Sequence, residues 1–271
     1  MTRAGGPMAW RWWCIVVAAG VWTLTDASHI RAARAPAREI AVAAASDLQT
    51  VLPELAARFD READAHVTVS YGSSGAFFAQ IQNGAPFDVF FSADVEYPRR
   101  LAASGHAEAA TLYDYATGRL VLWTRRDTGI HVERGLTALS DPRVQRIAIA
   151  NPAHAPYGRA AVAALKHERL YDGVQHKLVL GENISQAAQF VDSGNADVGI
   201  LALSLALAPP LNAHGVYFRI PPDAHPPIQQ AAVVLSASRH KDTARRFLDL
   251  LRRPDIKALL DRFGFVAPRS E

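Results

Sequence analysis

The chain has 271 residues, 49% of them hydrophobic and 20% charged, which is enough to bury a core that proteins of this size usually divide between two lobes. Its formal net charge is +3, from 29 basic and 26 acidic residues, and four of the arginines and one aspartate lie in residues 1–35. Without that segment the chain holds 25 residues of each sign, so its charge gives no support to nucleic-acid or membrane-surface binding.

Residues 1–35 have the layout of a secretory signal peptide. Two arginines precede an apolar run over residues 12–22, and small residues follow at two possible cleavage sites, after Ala27 and after Ala35. The apolar run is too short to span a membrane. The single cysteine of the chain lies inside this run, so we expect a mature periplasmic protein without disulfides.

The next part of the chain alternates between strand-like and helix-like patterns. Predicted strands at 40–44, 67–71 and 89–92 are separated by predicted helices at 48–61 and 76–83. In the first of these helices, apolar residues recur at helical spacing and give it one face that packs on a sheet. This order predicts a doubly wound α/β sheet.

A second region repeats the same order of strands and helices. Its predicted strands lie at 120–124, 147–150, 177–180 and 198–201, with helices at 158–167 and 185–193. We interpret it as a second α/β lobe.

The C-terminal part is too short to form a lobe of its own. It contains predicted strands at 216–220 and 231–235 and predicted helices at 242–251 and 254–263. We expect it to pack back on the first lobe. The chain then crosses between lobes twice, near 115–120 and near 213–228.

These crossings give a domain prediction. The first lobe comprises residues 36–117 and 215–271, and the second lobe comprises residues 118–214. Two lobes joined by two crossings enclose a cleft, and hinge motion closes such a cleft over a ligand.

Four junctions between a strand and the following helix carry small or hydroxyl residues. They are Ser46, Ser73-Ser74-Gly75, Tyr157-Gly158 and Asn183-Ile184. A helix start offers backbone N–H groups and the positive end of the helix dipole, so four such junctions facing one cleft could hold a small tetrahedral oxyanion. Taken singly, each is better explained as ordinary helix capping, and only the four together favour an anion site.

Five motifs spread over the chain resemble those of the periplasmic molybdate-binding proteins of ABC transporters. They are IAVAAASDL at 40–48, YGSSG at 71–75, NGAPFDVFFSAD at 83–94, NPAHAPYG at 151–158 and RFGFV at 262–266. The resemblance implies an α/β fold of the two-lobe periplasmic-binding-protein type, with mixed sheets and two hinge crossings. It also implies molybdate or tungstate as ligand, no cofactor, no catalysis, and a monomer that delivers its ligand to a permease with its ATPase.

The resemblance also assigns a binding site, residue by residue. Ser46 and Ser74 match two serines that bind oxyanion through hydroxyl and amide, and Tyr157 and Ile184 match backbone amide donors whose side chains matter less. Residues expected close to the site are Ala45, Asp47, Ser73, Gly75, Ser92 and Ala202. Many family members have a tyrosine donor at the position of Ala202, so we expect Ser204 or water in its place.

Three alternatives remain on the sequence alone. The first is a binding protein for sulfate or a small carboxylate, because a fold does not fix its ligand. A serine hydrolase would need a histidine base beside Ser46 or Ser74, which no motif indicates. A metal site at Asp88 and Asp94 is disfavoured because carboxylates repel an anion, so we expect Asp88 to accept backbone N–H groups and Asp94 to cap a helix.

Overall fold

The computed structural model describes residues 38–63 and 65–268, so the predicted signal peptide lies outside the described residues. The described strands, in chain order, are β1 (Arg38–Ala45), β2 (Ala65–Gly72), β3 (Val89–Ser92), β4 (Tyr113–Gly118), β5 (Leu120–Arg125), β6 (Ile147–Ala150), β7 (Leu178–Gly181), β8 (Val198–Ala202), β9 (Gly215–Arg219) and β10 (Ile228–Val234).

The α-helices of the same residues are α1 (Leu52–Ala63), α2 (Ser74–Gln82), α3 (Glu96–Ala103), α4 (Pro156–His167), α5 (Tyr171–Val174), α6 (Ile184–Asp192), α7 (Leu203–Ala206), α8 (Leu211–His214), α9 (Lys241–Asp249) and α10 (Pro254–Arg262). No helix in this part of the chain is both long enough and apolar enough to cross a membrane.

The first sheet has the strand order β2-β1-β3-β10-β4. Strands β1, β2 and β3 run parallel, and β10 runs antiparallel to both β3 and β4. Both faces of β1 are buried, because α1, α9 and α10 contribute to the core on one side of the sheet and α2 and α3 to the core on the other. This burial explains why β1 reads as a nearly continuous apolar run.

The second sheet has the strand order β7-β6-β8-β5-β9. Strand β6 is parallel to β7 and β8, whereas β5 is antiparallel to β8 and β9. Its core includes side chains of α4 and α6 and the fully buried Trp123. Two mixed sheets flanked by helices confirm the predicted α/β class.

Among the differences from the prediction, two concern the arrangement around the cleft. Helix α1 begins at Leu52 rather than at residue 48, because Ser46–Leu48 forms a separate 3-10 turn at the end of β1. Strand β9, predicted to belong to the first lobe, pairs with β5 in the second sheet. The second crossing therefore lies between Arg219 and Ile228, within the range expected for it.

The two crossings differ in length. Between β4 and β5 only Arg119 separates the two sheets, whereas eight residues separate β9 from β10. After β10 the chain stays with the first sheet, where Phe247, Ile256 and Leu259 join the core beside α1. The C-terminal helices thus pack on the first sheet.

Candidate functional site

A small cavity lies where the carboxyl ends of strands from the two sheets face each other. About 190 Å³ there is not filled by protein atoms, a volume that includes open solvent at the mouth of the cavity. The first sheet contributes the ends of β1, β2 and β3, and the second contributes the starts of α4 and α6. The lining residues are Ala45, Ser46, Asp47, Gly72, Ser73, Ser74, Ala93, Ala155, Pro156, Tyr157 and Ile184.

Backbone N–H groups are the main donors of this cavity. Ser74, Tyr157 and Ile184 lie in the first turns of α2, α4 and α6, where no intrahelical acceptor exists. Within the described residues, the N–H groups of these three and of Ser46 donate to no protein acceptor. Two walls of the cavity thus present four unpaired donors, three of them at the positive ends of helix dipoles.

Two serine hydroxyls add to these amides. The Ser74 side chain is fully buried, and its Oγ accepts a hydrogen bond of 2.9 Å from the Ala93 N–H. Its own hydrogen has no protein acceptor within the described residues. The Ser46 Oγ donates to Oδ1 of Asn183 across the cleft over 3.1 Å, so this hydroxyl has to exchange one acceptor for another when a ligand enters.

The start of α4 packs directly against the end of β6. A Cβ atom at Gly158 would overlap the carbonyl oxygen of Ala150, so only glycine allows the first turn of α4 to come this close to the strand. The position of the neighbouring Tyr157 amide therefore depends on Gly158.

The two walls of the cleft are hydrogen-bonded to each other. Ser185 Oγ donates to Gln49 Oε1 over 2.7 Å, and Ser204 Oγ donates to the carbonyl oxygen of Asp47 over 2.7 Å. At the rim, Arg159 of α4 forms an ion pair with Asp94, which also caps α3 by accepting from the Glu96 N–H. These direct contacts describe a closed cleft.

Asp47 is the centre of a buried polar network. Its Oδ2 accepts hydrogen bonds from the Tyr157 hydroxyl at 2.9 Å and from Gln230 Nε2 at 2.6 Å, and Gln230 Oε1 accepts from the Tyr115 hydroxyl at 2.6 Å. Its Oδ1 is buried without a partner among the described residues. Burial raises the pKa of Asp47 to about 6, although both hydrogen bonds act in the opposite direction.

The structure brings together most of the residues predicted for the site. Ser46, Ser74, Tyr157 and Ile184 all line the cavity, as do Ala45, Asp47 and Ser73. What each does toward a ligand stays a prediction.

Three of the residues expected nearby do not line the cavity. The Gly75 N–H donates to the His154 carbonyl oxygen, and Ser92 Oγ donates to the Asp94 carbonyl oxygen. Ala202 is fully buried at the end of β8. The Ser204 hydroxyl, expected to replace the missing tyrosine, is instead bound to the Asp47 carbonyl oxygen.

Sequence reasoning missed the side-chain network behind the cavity. It treated the Tyr157 side chain as secondary, whereas its hydroxyl is one of the two donors to Asp47. It also passed over Gln230, a fully buried polar residue in a strand that is otherwise largely apolar. Since a buried polar group needs a partner, this glutamine is the signal that could have revealed the network.

Neither alternative chemistry finds support in the geometry. Asp88 accepts one hydrogen bond from a backbone N–H, that of Ala41, as expected, and a second one from the Ser238 hydroxyl. Across the described ranges, no cluster of three or more His, Cys, Asp or Glu residues could hold a metal ion.

A serine and a histidine do meet across the cleft. Ser73 Oγ lies 2.7 Å from His154 Nδ1, but the same Oγ also accepts the N-cap hydrogen bond of α2. Glu182, 3.5 Å from His154 Nε2, is 76% exposed. A carboxylate this exposed does not hold a histidine in place as a buried catalytic partner does.

Comparisons with known proteins place this geometry in context. The family model of bacterial extracellular solute-binding proteins matches residues 40–266. Molybdate-binding protein ModA of Azotobacter vinelandii is 35% identical over 251 residues, covering 93% of this chain and 96% of that protein. ModA of Rhodobacter capsulatus is 34% identical over 232 residues, covering 86% and 90%.

A solved structure agrees with these relatives. The periplasmic molybdate-binding protein of Azotobacter vinelandii superposes with a TM-score of 0.79 at 33% sequence identity, covering 85% of this chain and all of that one. Both sequence relatives carry the name of molybdate-binding proteins.

Proposed function

Since the chain belongs to the bacterial extracellular solute-binding proteins, we propose that it is the periplasmic component of an ABC transporter and that it captures molybdate in the cavity between its two sheets. The observation that carries this function is the set of four unpaired backbone N–H groups, contributed by both walls, around a cavity of small-ion size. Two serine hydroxyls complete the set.

Ser46 and Ser74 bind the anion through hydroxyl and amide, and Tyr157 and Ile184 bind it through their amides. All these contacts are hydrogen bonds to oxygen, and molybdenum itself has no protein ligand. Each hydrogen bond to a charged group contributes about 1.5–3 kcal/mol, so roughly six of them offset the desolvation of a small dianion without any basic side chain.

The donor set also explains discrimination among oxyanions. Amides and hydroxyls that donate leave the O–H of hydrogen phosphate without an acceptor, whereas molybdate and tungstate carry no proton at neutral pH. Sulfate carries no proton either, so its rejection requires donors that are spaced for the longer bonds of molybdate. We expect tungstate, which has nearly the same size as molybdate, to bind as well.

Ligand capture is coupled to delivery through closure of the cleft. The bound anion joins donors of both sheets, so it favours the closed arrangement by its differential contacts with the two walls. The closed protein, as a monomer, then docks through the rims of its two lobes on a permease. The ATPase of the transporter drives that permease. The protein needs no cofactor and performs no catalysis.

The test is isothermal titration of the anion-free protein with molybdate, tungstate, sulfate and phosphate in the same buffer. We expect tight binding of molybdate and tungstate and no measurable binding of the other two. Preferred binding of sulfate, or of a small carboxylate in a further titration, would reassign the ligand while leaving the fold and family unchanged. Ser193→Ala, at an exposed serine outside the cavity, is the matched control for serine substitutions in the site.

A further inference from the structure

Asp47 is the single acidic residue among those that line the cavity. Its side chain is completely buried, Oδ2 accepts two hydrogen bonds, and Oδ1 has no partner among the described residues. A buried carboxylate with a partnerless oxygen beside an anion repels that anion. A site for a dianion therefore has to account for this group.

No neighbouring cation neutralises Asp47. The groups that face its carboxyl are the Tyr157 hydroxyl on α4 and the Gln230 amide on β10, with the Tyr115 hydroxyl of β4 behind the glutamine. On α7, Ser204 donates to the Asp47 main chain. In the described part of the chain, no arginine, lysine or histidine forms a hydrogen bond or ion pair with the Asp47 carboxyl.

We propose that Asp47 carries a proton on Oδ1 when the oxyanion is bound, so that capture of molybdate takes up one proton from solvent. The inference rests on the proposed function and deepens it. In the protonated form the carboxyl no longer repels the anion, and its O–H joins the donors of the cavity. Burial, which raises the pKa of Asp47 to about 6, makes this protonation accessible near neutral pH.

The same group bears on specificity. An ionised Asp47 could accept a hydrogen bond from the O–H of hydrogen phosphate, whereas protonation makes Oδ1 a donor and a much weaker acceptor. The protonation state of this one carboxyl thus decides between fully deprotonated and protonated oxyanions.

The experiment is titration of the full protein with molybdate between pH 6 and pH 8, in pairs of buffers that differ in ionisation enthalpy. Above the raised pKa of Asp47 the protonated fraction falls as the pH rises, so the dissociation constant should increase by up to about tenfold per pH unit. Proton uptake per anion should approach one at pH 8.

Asp47→Asn is the decisive variant, because an amide resembles the protonated carboxyl in charge. We expect its affinity to change little between pH 6 and pH 8, with no proton uptake. Asp88→Asn, at a buried aspartate that does not line the cavity, should retain the wild-type pH slope.

A second variant keeps the test informative if Asp47→Asn does not fold. Tyr157→Phe retains the backbone amide and removes one hydrogen bond that favours ionised Asp47. The midpoint of the pH profile should therefore move to higher pH. A merely structural role for the tyrosine would lower affinity equally at every pH.

Two outcomes separate this inference from the function beneath it. Tight molybdate binding with a flat pH profile and no proton uptake overturns the inference alone, as does an unchanged slope in Asp47→Asn. Absence of molybdate binding at every pH overturns the proposed function and the inference with it.

Discussion

The two walls of the cavity offer the same kind of donor by different means. In the first lobe, Ser46 and Ser74 each present a hydroxyl as well as a backbone N–H group. In the second lobe, Tyr157 and Ile184 present backbone N–H groups alone, because the Tyr157 hydroxyl is bound to Asp47 and Ile184 is apolar. Substitution can delete donors from the first wall, whereas the second wall changes only when a helix start moves.

The largest loss of molybdate affinity is expected from Gly158→Ala. This substitution moves the second wall of the cavity without removing any hydrogen-bond donor. The added methyl group overlaps the Ala150 carbonyl oxygen and pushes the first turn of α4 away from β6. The substitution should displace the Tyr157 amide and disturb the contacts that α4 makes across the closed cleft. We therefore expect molybdate binding to weaken by about 100-fold or more.

The measurement for Gly158→Ala is isothermal titration alongside thermal unfolding, so that a folded protein with lost affinity is distinguished from an unfolded one. Gly173→Ala is the matched control, since a Cβ at Gly173 meets nothing within 4 Å. Retention of wild-type affinity in a folded Gly158→Ala protein would contradict the role given to the second wall.

Ser74→Ala should have the next largest effect. It removes a buried hydroxyl whose hydrogen has no competing protein acceptor and whose oxygen receives the Ala93 N–H. Loss of one hydrogen bond to a charged ligand corresponds to about 1.5–3 kcal/mol, or roughly a 10- to 150-fold rise in the dissociation constant. Isothermal titration measures it, and affinity equal to that of Ser193→Ala would remove Ser74 from the site.

Ser46→Ala should cost less, because the wild-type hydroxyl gives up its bond to Asn183 Oδ1 when it turns to the ligand. The substitution removes only the difference in free energy between the hydrogen bond to the ligand and the one to Asn183. This difference is about 1 kcal/mol, which corresponds to a fivefold rise in the dissociation constant. Competition between molybdate and tungstate, followed by intrinsic fluorescence, resolves a change of this size. If Ser46→Ala lost more affinity than Ser74→Ala, Ser46 rather than Ser74 would be the more important serine for binding.

The smallest effect is expected at Ile184, where the donor belongs to the backbone. Ile184→Val shortens the side chain by one methylene and leaves the N–H at the start of α6, so affinity should change less than about threefold. Stability should fall by about 0.5–1.5 kcal/mol, as is typical of this substitution in a core. Titration and chemical denaturation separate the two quantities, and a large loss of affinity at unchanged stability would show that the side chain itself contacts the ligand.

Local patterns predicted the residues that begin or end an element. Ser46, Ser74, Tyr157 and Ile184 each lie at a strand-to-helix junction that is visible within a few residues, and the repeated order of strands and helices was enough to place them in two lobes. Strand β4 escaped prediction because Asp114, Thr117 and Gly118 interrupt its apolar pattern.

Contacts between distant parts of the chain were not predicted, for a different reason. Asp47 meets residues 110 and 183 positions further along the chain, and no local period encodes such pairs. The missing tyrosine at Ala202 was visible in the sequence, but the use of the Ser204 hydroxyl by the Asp47 main chain was not. Sequence therefore located the residues that line the cavity better than the polar network behind them.

The single-residue crossing at Arg119 gives the cavity a mechanical role. Gly118, the last residue before it, leaves no room for a Cβ beside the Tyr157 hydroxyl and Gln230. The crossing and the polar network behind the cavity are thus neighbours. A rotation of one sheet against the other about Arg119 would move the outer edges of the two lobes farther than it moves the cavity.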